Sequence, residues 1–190
     1  MRFVELAEHL HNLRLEKSGR PAGAAMTVSE VWNGVYASSK TSISELRYYE
    51  AELPRPFDGM FVRLRADDES ERALILVHKH LPKHWKEFAA IKEMMHCWSP
   101  PQTFVGSPES VKKLVSALCD KKGRYTPSVA ADSGAILAAG EVILPHYRVE
   151  RHIEQGHDAA AIANAHGLHP EVAELICRLD FLHHRKNGSL

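Results

Sequence analysis

Residues 72–98, RALILVHKHLPKHWKEFAAIKEMMHCW, join two kinds of order across a few residues. RALILVHKH (72–80) is a continuous apolar run that ends in alternation, the pattern of a strand. Pro82 then suits the first position of a helix, where its missing N–H costs nothing. The helical stretch continues to Trp98, and Ser99-Pro100-Pro101 ends it. A strand that runs straight into a helix of this length implies a small sheet or hairpin packed on a central helix over 82–98.

The flanking segments fill in the architecture. MFVRLRA (60–66) alternates like a half-exposed strand, and DDESE (67–71) is a turn, so 60–66 and 72–80 can pair as a hairpin. Phe3, Leu6, Leu10 and Leu13 form one apolar stripe of a helix over 3–16, which KSGRPAG breaks. TVSEVWNGVY predicts a short helix starting at Thr27 or Ser29, and SISELRYYEAEL (42–53) a second. PRPFDG (54–59) is a turn and a candidate lobe boundary. Further helices are expected over 108–121, with Pro108 near the start and Gly123 beyond the end, and over 128–144, rich in small residues and closed by Pro145. Two short helices flank AHGLHP, and a polar tail containing HHRKNG follows. The fold class is therefore α+β, with a helical N-terminal extension (1–59) and a main domain (60–190).

Charge and cysteine usage narrow the setting. Lys+Arg and Asp+Glu are equal at 24 each, which argues against a nonspecific nucleic-acid binder, since phosphate neutralisation needs a basic excess. Three Cys, at 97, 119 and 177, with no Cys-x-x-Cys fit a reduced cytoplasm rather than a disulfide scaffold. The first 20 residues lack a continuous apolar run, and the most apolar window, AILAAGEVILP (135–145), is too short for a bilayer and contains Glu141. A cytoplasmic location and no membrane partner are expected.

The end of the central helix carries the chemistry. Zinc peptidases place His-Glu-x-x-His on a helix: two His one turn apart reach a common ion, and the Glu takes a proton from metal-bound water. Here the order is Lys92-Glu93-Met94-Met95-His96. The Glu and the second His are in place, but Lys92 stands where the first ligand belongs. An ammonium has three donors and no lone pair for a metal. His84 cannot replace it, since twelve helical residues put it about 18 Å from His96 along the axis. His78 and His80 on the preceding strand stay open as ligands. Cys97 points elsewhere round the helix and suits a small core position.

In this context the run RALILVHKHLPKHWKEFAAIKEMMH resembles the ImmA/IrrE-type family of zincin-like peptidases. Those proteins have an apolar strand, a short turn and a helix of the form Arg-Phe-x-x-Ala-His-Glu-Leu-Gly-His. Phe88, Glu93, Met94 and His96 fall on the Phe, Glu, Leu and second His, whereas Glu87, Ile91, Lys92 and Met95 depart from the pattern. DSGAILAAGEVILP (132–145) resembles the family's next helix, Glu-x-x-Ala-x-x-Phe-Ala-Ala-x-Leu-Leu-x-Pro, with Asp132 on the acidic third-ligand position. DAAAIANAHGLHPEVAELICRL (158–179) is similar to its C-terminal helix pair. The resemblance covers about residues 60–180 and leaves 1–59 outside.

It implies a zincin-like domain and a peptidase-derived regulatory protein of bacteria or their mobile elements. In an active enzyme Glu93 would be the general base, with His96 and Asp132 as metal ligands and a further ligand unassigned. The altered first ligand favours weak or absent zinc peptidase activity and no resident zinc. Lys92 would then pair with Asp132 or Glu93, or else extend its ammonium to solvent over its apolar stem. The alternative function is a metal-free pseudo-peptidase that binds a protein or peptide, so enzymatic activity is open at this point.

A third reading comes from AAIANAHGLHPEVAELI, which also has the spacing of a helix-turn-helix. Its second helix carries Glu171 and Glu174 and only Arg178 as a base-reading side chain, so nucleic acid is a disfavoured partner. His146, His152, His157, His166, His169, His183 and His184 lie in polar surroundings at spacings that fit no metal motif well. Oligomeric state is not set by zero net charge.

Overall fold

The computed structural model describes residues 1–17, 23–65, 71–100, 103–104, 109, 112–113, 116 and 127–188. Among the described residues it is an α+β protein with eight helices and one three-stranded sheet. The turn expected at 67–71 and the helix expected over 108–121 fall mostly outside them.

The hairpin forms as expected. β2 (Gly59–Arg65) and β3 (Glu71–His78) are antiparallel, with Phe61 opposite Ile75 and Arg63 opposite Ala73. Ala73, Ile75 and Val77 alternate inward along β3 and are fully buried. They lie on the core side with α3 (Lys83–Met95), whose Phe88, Ala89, Ile91, Met94 and Met95 are also buried. A single 3-10 turn, His96–Trp98, extends α3 to the end expected from sequence.

The segment 42–53 is a correction. It forms β1 (Ile43–Ala51), parallel to the other edge of β3, giving the order β1-β3-β2. Ile43 and Leu46, its two buried residues, are three apart, a spacing that reads as a helical face. The β propensity of Tyr48 and Tyr49 and the unpaired edge of β3 decide for the strand. The turn 54–59 joins two strands of this sheet. It is held at both ends, because His78 N–H donates to Asp58 O at 2.9 Å and Lys79 N–H to Ala51 O at 2.9 Å.

The other helices build the second layer. α1 (Phe3–Lys17) puts Phe3, Leu6, Ala7 and Leu10 into the core that contains Ala135, Ala138, Ala139 and Val142 of α4 (Pro127–Ile143). The small residues of α4 let the two axes approach. α2 (Val28–Ala37) starts at Thr27 with a capping box: Thr27 Oγ1 accepts from Glu30 N–H, and Thr27 N–H donates to Glu30 Oε2 at 2.8 Å. α1, α2 and β1 thus share one hydrophobic core with the residues after 59.

The chain ends in α5 (His146–Glu154), α6 (Ala159–His166), α7 (Pro170–Cys177) and α8 (Leu179–Asn187). Gly167, in the left-handed conformation at φ 70°, ends α6 and turns the chain into α7. The expected polar tail is a further correction. α8 is a helix that buries Leu182 and, completely, Arg185. Arg185 Nε donates to Glu141 Oε2 at 3.0 Å and Nη1 to Ile176 O at 2.8 Å, and Nη2 reaches Leu144 O. Glu141 is itself fully buried and also accepts from His146 N–H, with His146 Nδ1 2.8 Å from Oε1. A continuous polar network therefore ties α4, α5 and α8 together, and His146 is a buried partner rather than a surface histidine.

Candidate site around Lys92

Four side chains singled out from the sequence converge at the end of α3. Lys92 and Glu93 occupy its last turn, His96 opens the 3-10 turn, and Asp132 lies in the first half of α4, which packs on α3. Lys92 Nζ donates to Glu93 Oε1 at 2.8 Å and to Asp132 Oδ1. His96 Nε2 stands 3.8 Å from Glu93 Oε2, near but beyond hydrogen-bond length. Its Nδ1 is 3.3 Å from Ser99 Oγ. The rings of Phe61 and Phe104 flank it, with centroids at 5.8 and 6.5 Å.

Gly59 completes the enclosure. A β-carbon there would lie 2.6 Å from Glu93 Oε1 and 2.9 Å from its Cγ. The start of β2 and the end of α3 can approach this closely only because residue 59 has no side chain. Glu93 is 1 % exposed as a result, whereas the Asp132 side chain is 31 % exposed.

Burial and charge set the protonation states. Burial opposes the Lys92 charge most strongly, but Glu93 and Asp132 together outweigh it and hold the ammonium above its usual range. Burial pushes the Glu93 carboxyl up against the pull of Lys92. One ammonium is shared by two carboxylates, of which Glu93 is the more deeply buried. Burial, then the Lys92 charge, lowers His96 to about 4, so its imidazole is neutral at neutral pH. Burial raises the Cys97 thiol to about 12, which makes it an inert core group.

A resident zinc does not fit this arrangement. The position on which the resemblance would put the first ligand holds a charged ammonium, and that ammonium already engages Glu93 and Asp132. His96 and Asp132 alone would leave an ion short of the three protein ligands that a zinc enzyme uses. No family model, curated protein or solved structure matches the chain.

Gly59, Phe61 and Ser99 escaped the sequence reading, because nothing local marks a turn glycine or a strand Phe as the wall of a site on another element. Two histidine groupings also escaped it. His152 bridges His157 (Nδ1–Nδ1 2.8 Å) and His166 (Nε2–Nε2 2.9 Å), and His166 Nδ1 donates to Gly23 O at 2.7 Å. His166 is buried, with His152 and the Gly23 carbonyl as its polar partners. At the opposite end of α3 from Lys92, His84 lies 3.5 Å from His169, ring centroid to centroid, and His84 Nε2 is 2.9 Å from Glu171 Oε2. These partners are some 85 positions apart in the chain, so no local spacing marks them.

Proposed function

We propose that the chain is an ImmA/IrrE-like protein of zincin-like fold, regulatory in role, whose motif site works without a resident metal and serves to bind a protein or peptide. The reading rests on the Lys92 ammonium, which lies between Glu93 and Asp132 where relatives of this type would hold an ion. The helix–helix juxtaposition that the resemblance requires is present, with α3 and α4 bringing these groups together.

The chemistry argues against the alternative, a working zinc peptidase with Glu93 as base and His96 and Asp132 as ligands. A general base must be free to accept a proton from water, and Glu93 Oε1 is occupied by Lys92. The helix-turn-helix reading is weaker still. Such a motif needs the first turn of its second helix in the DNA groove. Glu171, in the first turn of α7, accepts from Trp85 Nε1 of α3 at 2.7 Å, and Arg178 pairs with Asp180 at 2.8 Å. No described helix is long and apolar enough to cross a membrane.

Two measurements test this. Peptide-library hydrolysis with added zinc is expected to stay at the level of buffer; zinc-dependent cleavage lost in Glu93→Gln contradicts the metal-free reading. Panning a displayed peptide library on the intact chain is expected to enrich binders that Asp132→Asn weakens. Failure to enrich any contradicts the binding role.

A further inference from the structure

We infer that His84, His169 and Glu171 form a binding site for a divalent transition-metal ion of the zinc class, separate from the Lys92 site. One ligand atom from each of the three residues lies within 4.8 Å of the other two. His84 comes from the first turn of α3, His169 caps α7, and Glu171 lies in the first turn of α7. Two imidazole nitrogens and a carboxylate oxygen are a donor set that suits zinc and leaves a coordination position open.

The rings of His84 and His169 are stacked within 2° of parallel at a centroid distance of 3.5 Å. Two parallel ring planes cannot both contain one ion, so binding requires the rings to tilt toward each other. A tetrahedral ion holds adjacent donors about 3.3 Å apart. His84 Nε2 and Glu171 Oε2 are already 2.9 Å apart. Replacing the proton between them with an ion asks for only a small opening, and a tilt of His169 brings in the third donor.

The site is braced on one side and adaptable on the other. The His84 side chain is 17 % exposed, and Trp85 Nε1 holds Glu171 Oε2 from the same helix. His169 is exposed and the Glu171 side chain is 56 % exposed, so both can shift toward an ion. The bond that holds the His169 ring in place is a long one, Glu171 N–H to His169 Nδ1 at 3.4 Å. His84 and His169 also line a cleft of about 100 Å³ with Phe88, Ile91, Leu168 and Val172. The positive ends of α3 and α7 oppose the cation itself, so Glu171 and an anionic fourth ligand, hydroxide or a carboxylate, must offset them.

The test is calorimetric titration of the full chain, free of any affinity tag, with zinc chloride. About one zinc per chain is expected, with binding weakened by more than roughly tenfold in Glu171→Gln and lost in His84→Ala/His169→Ala. Zinc should also move the ring-nitrogen resonances of His84 and His169 in the unaltered protein, a readout that does not depend on a variant folding. The inference is overturned by no measurable binding, by binding that survives the double substitution, or by binding lost instead in His96→Ala/Asp132→Asn, which would place the ion at the Lys92 site and overturn the metal-free reading as well.

Discussion

Lys92 and Glu93 are adjacent in the chain, and Lys92 Nζ lies 2.8 Å from Glu93 Oε1. Consecutive residues on a helix point about 100° apart and do not ordinarily face one another. They meet because the long Lys92 stem turns across the helix surface toward Asp132 on α4, and Gly59 presses Glu93 into the same space. The contact is therefore a product of three elements rather than of α3 alone.

Removing the cation should expose the cost of that enclosure. Lys92→Met leaves Glu93 buried with no counter-charge, and breaking a buried pair from one side costs about 3–5 kcal/mol. Urea unfolding at pH 7 should show a loss in this range. Adding Glu93→Gln should recover part of it, because the stranded charge is then gone. A Lys92→Met protein as stable as the parent would mean that Glu93 does not depend on the Lys92 ammonium as its counter-charge.

Gly59→Ala should act on the same carboxylate from the sheet. The added methyl would stand 2.6 Å from Glu93 Oε1, so β2 or the Glu93 side chain must shift. Overpacking of this kind costs about 1–3 kcal/mol. Thermal unfolding measures it. The loss should shrink in Glu93→Ala, which vacates the space, and an unchanged loss would assign the effect to the strand backbone instead.

How much of this was legible in the sequence follows from what each element depends on. The hairpin, α3 and α4 were readable because 73–77 is a continuous apolar run, 60–66 alternates, and Pro82 and Pro145 punctuate the helices. Lys92, Glu93 and His96 were readable from a motif on one helix, and Asp132 from a resemblance. β1 was not, since Ile43 and Leu46 are three apart, a helical spacing, and share the buried face of a strand only because the register shifts between Ile43 and Glu45. α8 was hidden for a related reason. HHRKNG is polar by composition, yet Arg185 is fully buried, because Glu141 and two carbonyls 9 and 41 positions away satisfy it.

That network makes Arg185 a second sensitive point. Arg185→Met removes the cation from a completely buried Glu141 and leaves the carbonyls of Ile176 and Leu144 without this donor, at a cost of about 3–5 kcal/mol. Chemical denaturation should register it as a lower midpoint with an unchanged slope. A loss below about 1 kcal/mol, the range of surface pairs, would contradict the burial of α8 on the core.

Acid should destabilise the fold in a defined window. Burial lowers both His11 and His96 from 6.5 to about 4. Between those values the unfolded chain binds two protons that the native one excludes. The stabilisation is therefore complete above pH 6.5 and is lost as pH falls toward 4, by roughly 3 kcal/mol for each histidine. Glu93, whose pKa is raised, runs the other way, since the native form holds its proton more tightly and its contribution declines as pH rises through the acid range. Denaturant midpoints at pH 7 and pH 4.5 should show the net fall. Equal midpoints would mean that both imidazoles reach water.

The most direct measurement is the zinc content of Lys92→His, compared with the parent in a shared His84→Ala/His169→Ala background and dialysed against buffered zinc. If the ammonium occupies the place of an ion among Glu93, His96 and Asp132, the parent should retain less than about a tenth of an equivalent and Lys92→His about one, lost again with Asp132→Asn, as expected for a third ligand in a three-residue zinc site. Zinc bound equally by parent and variant, or by neither, would contradict it.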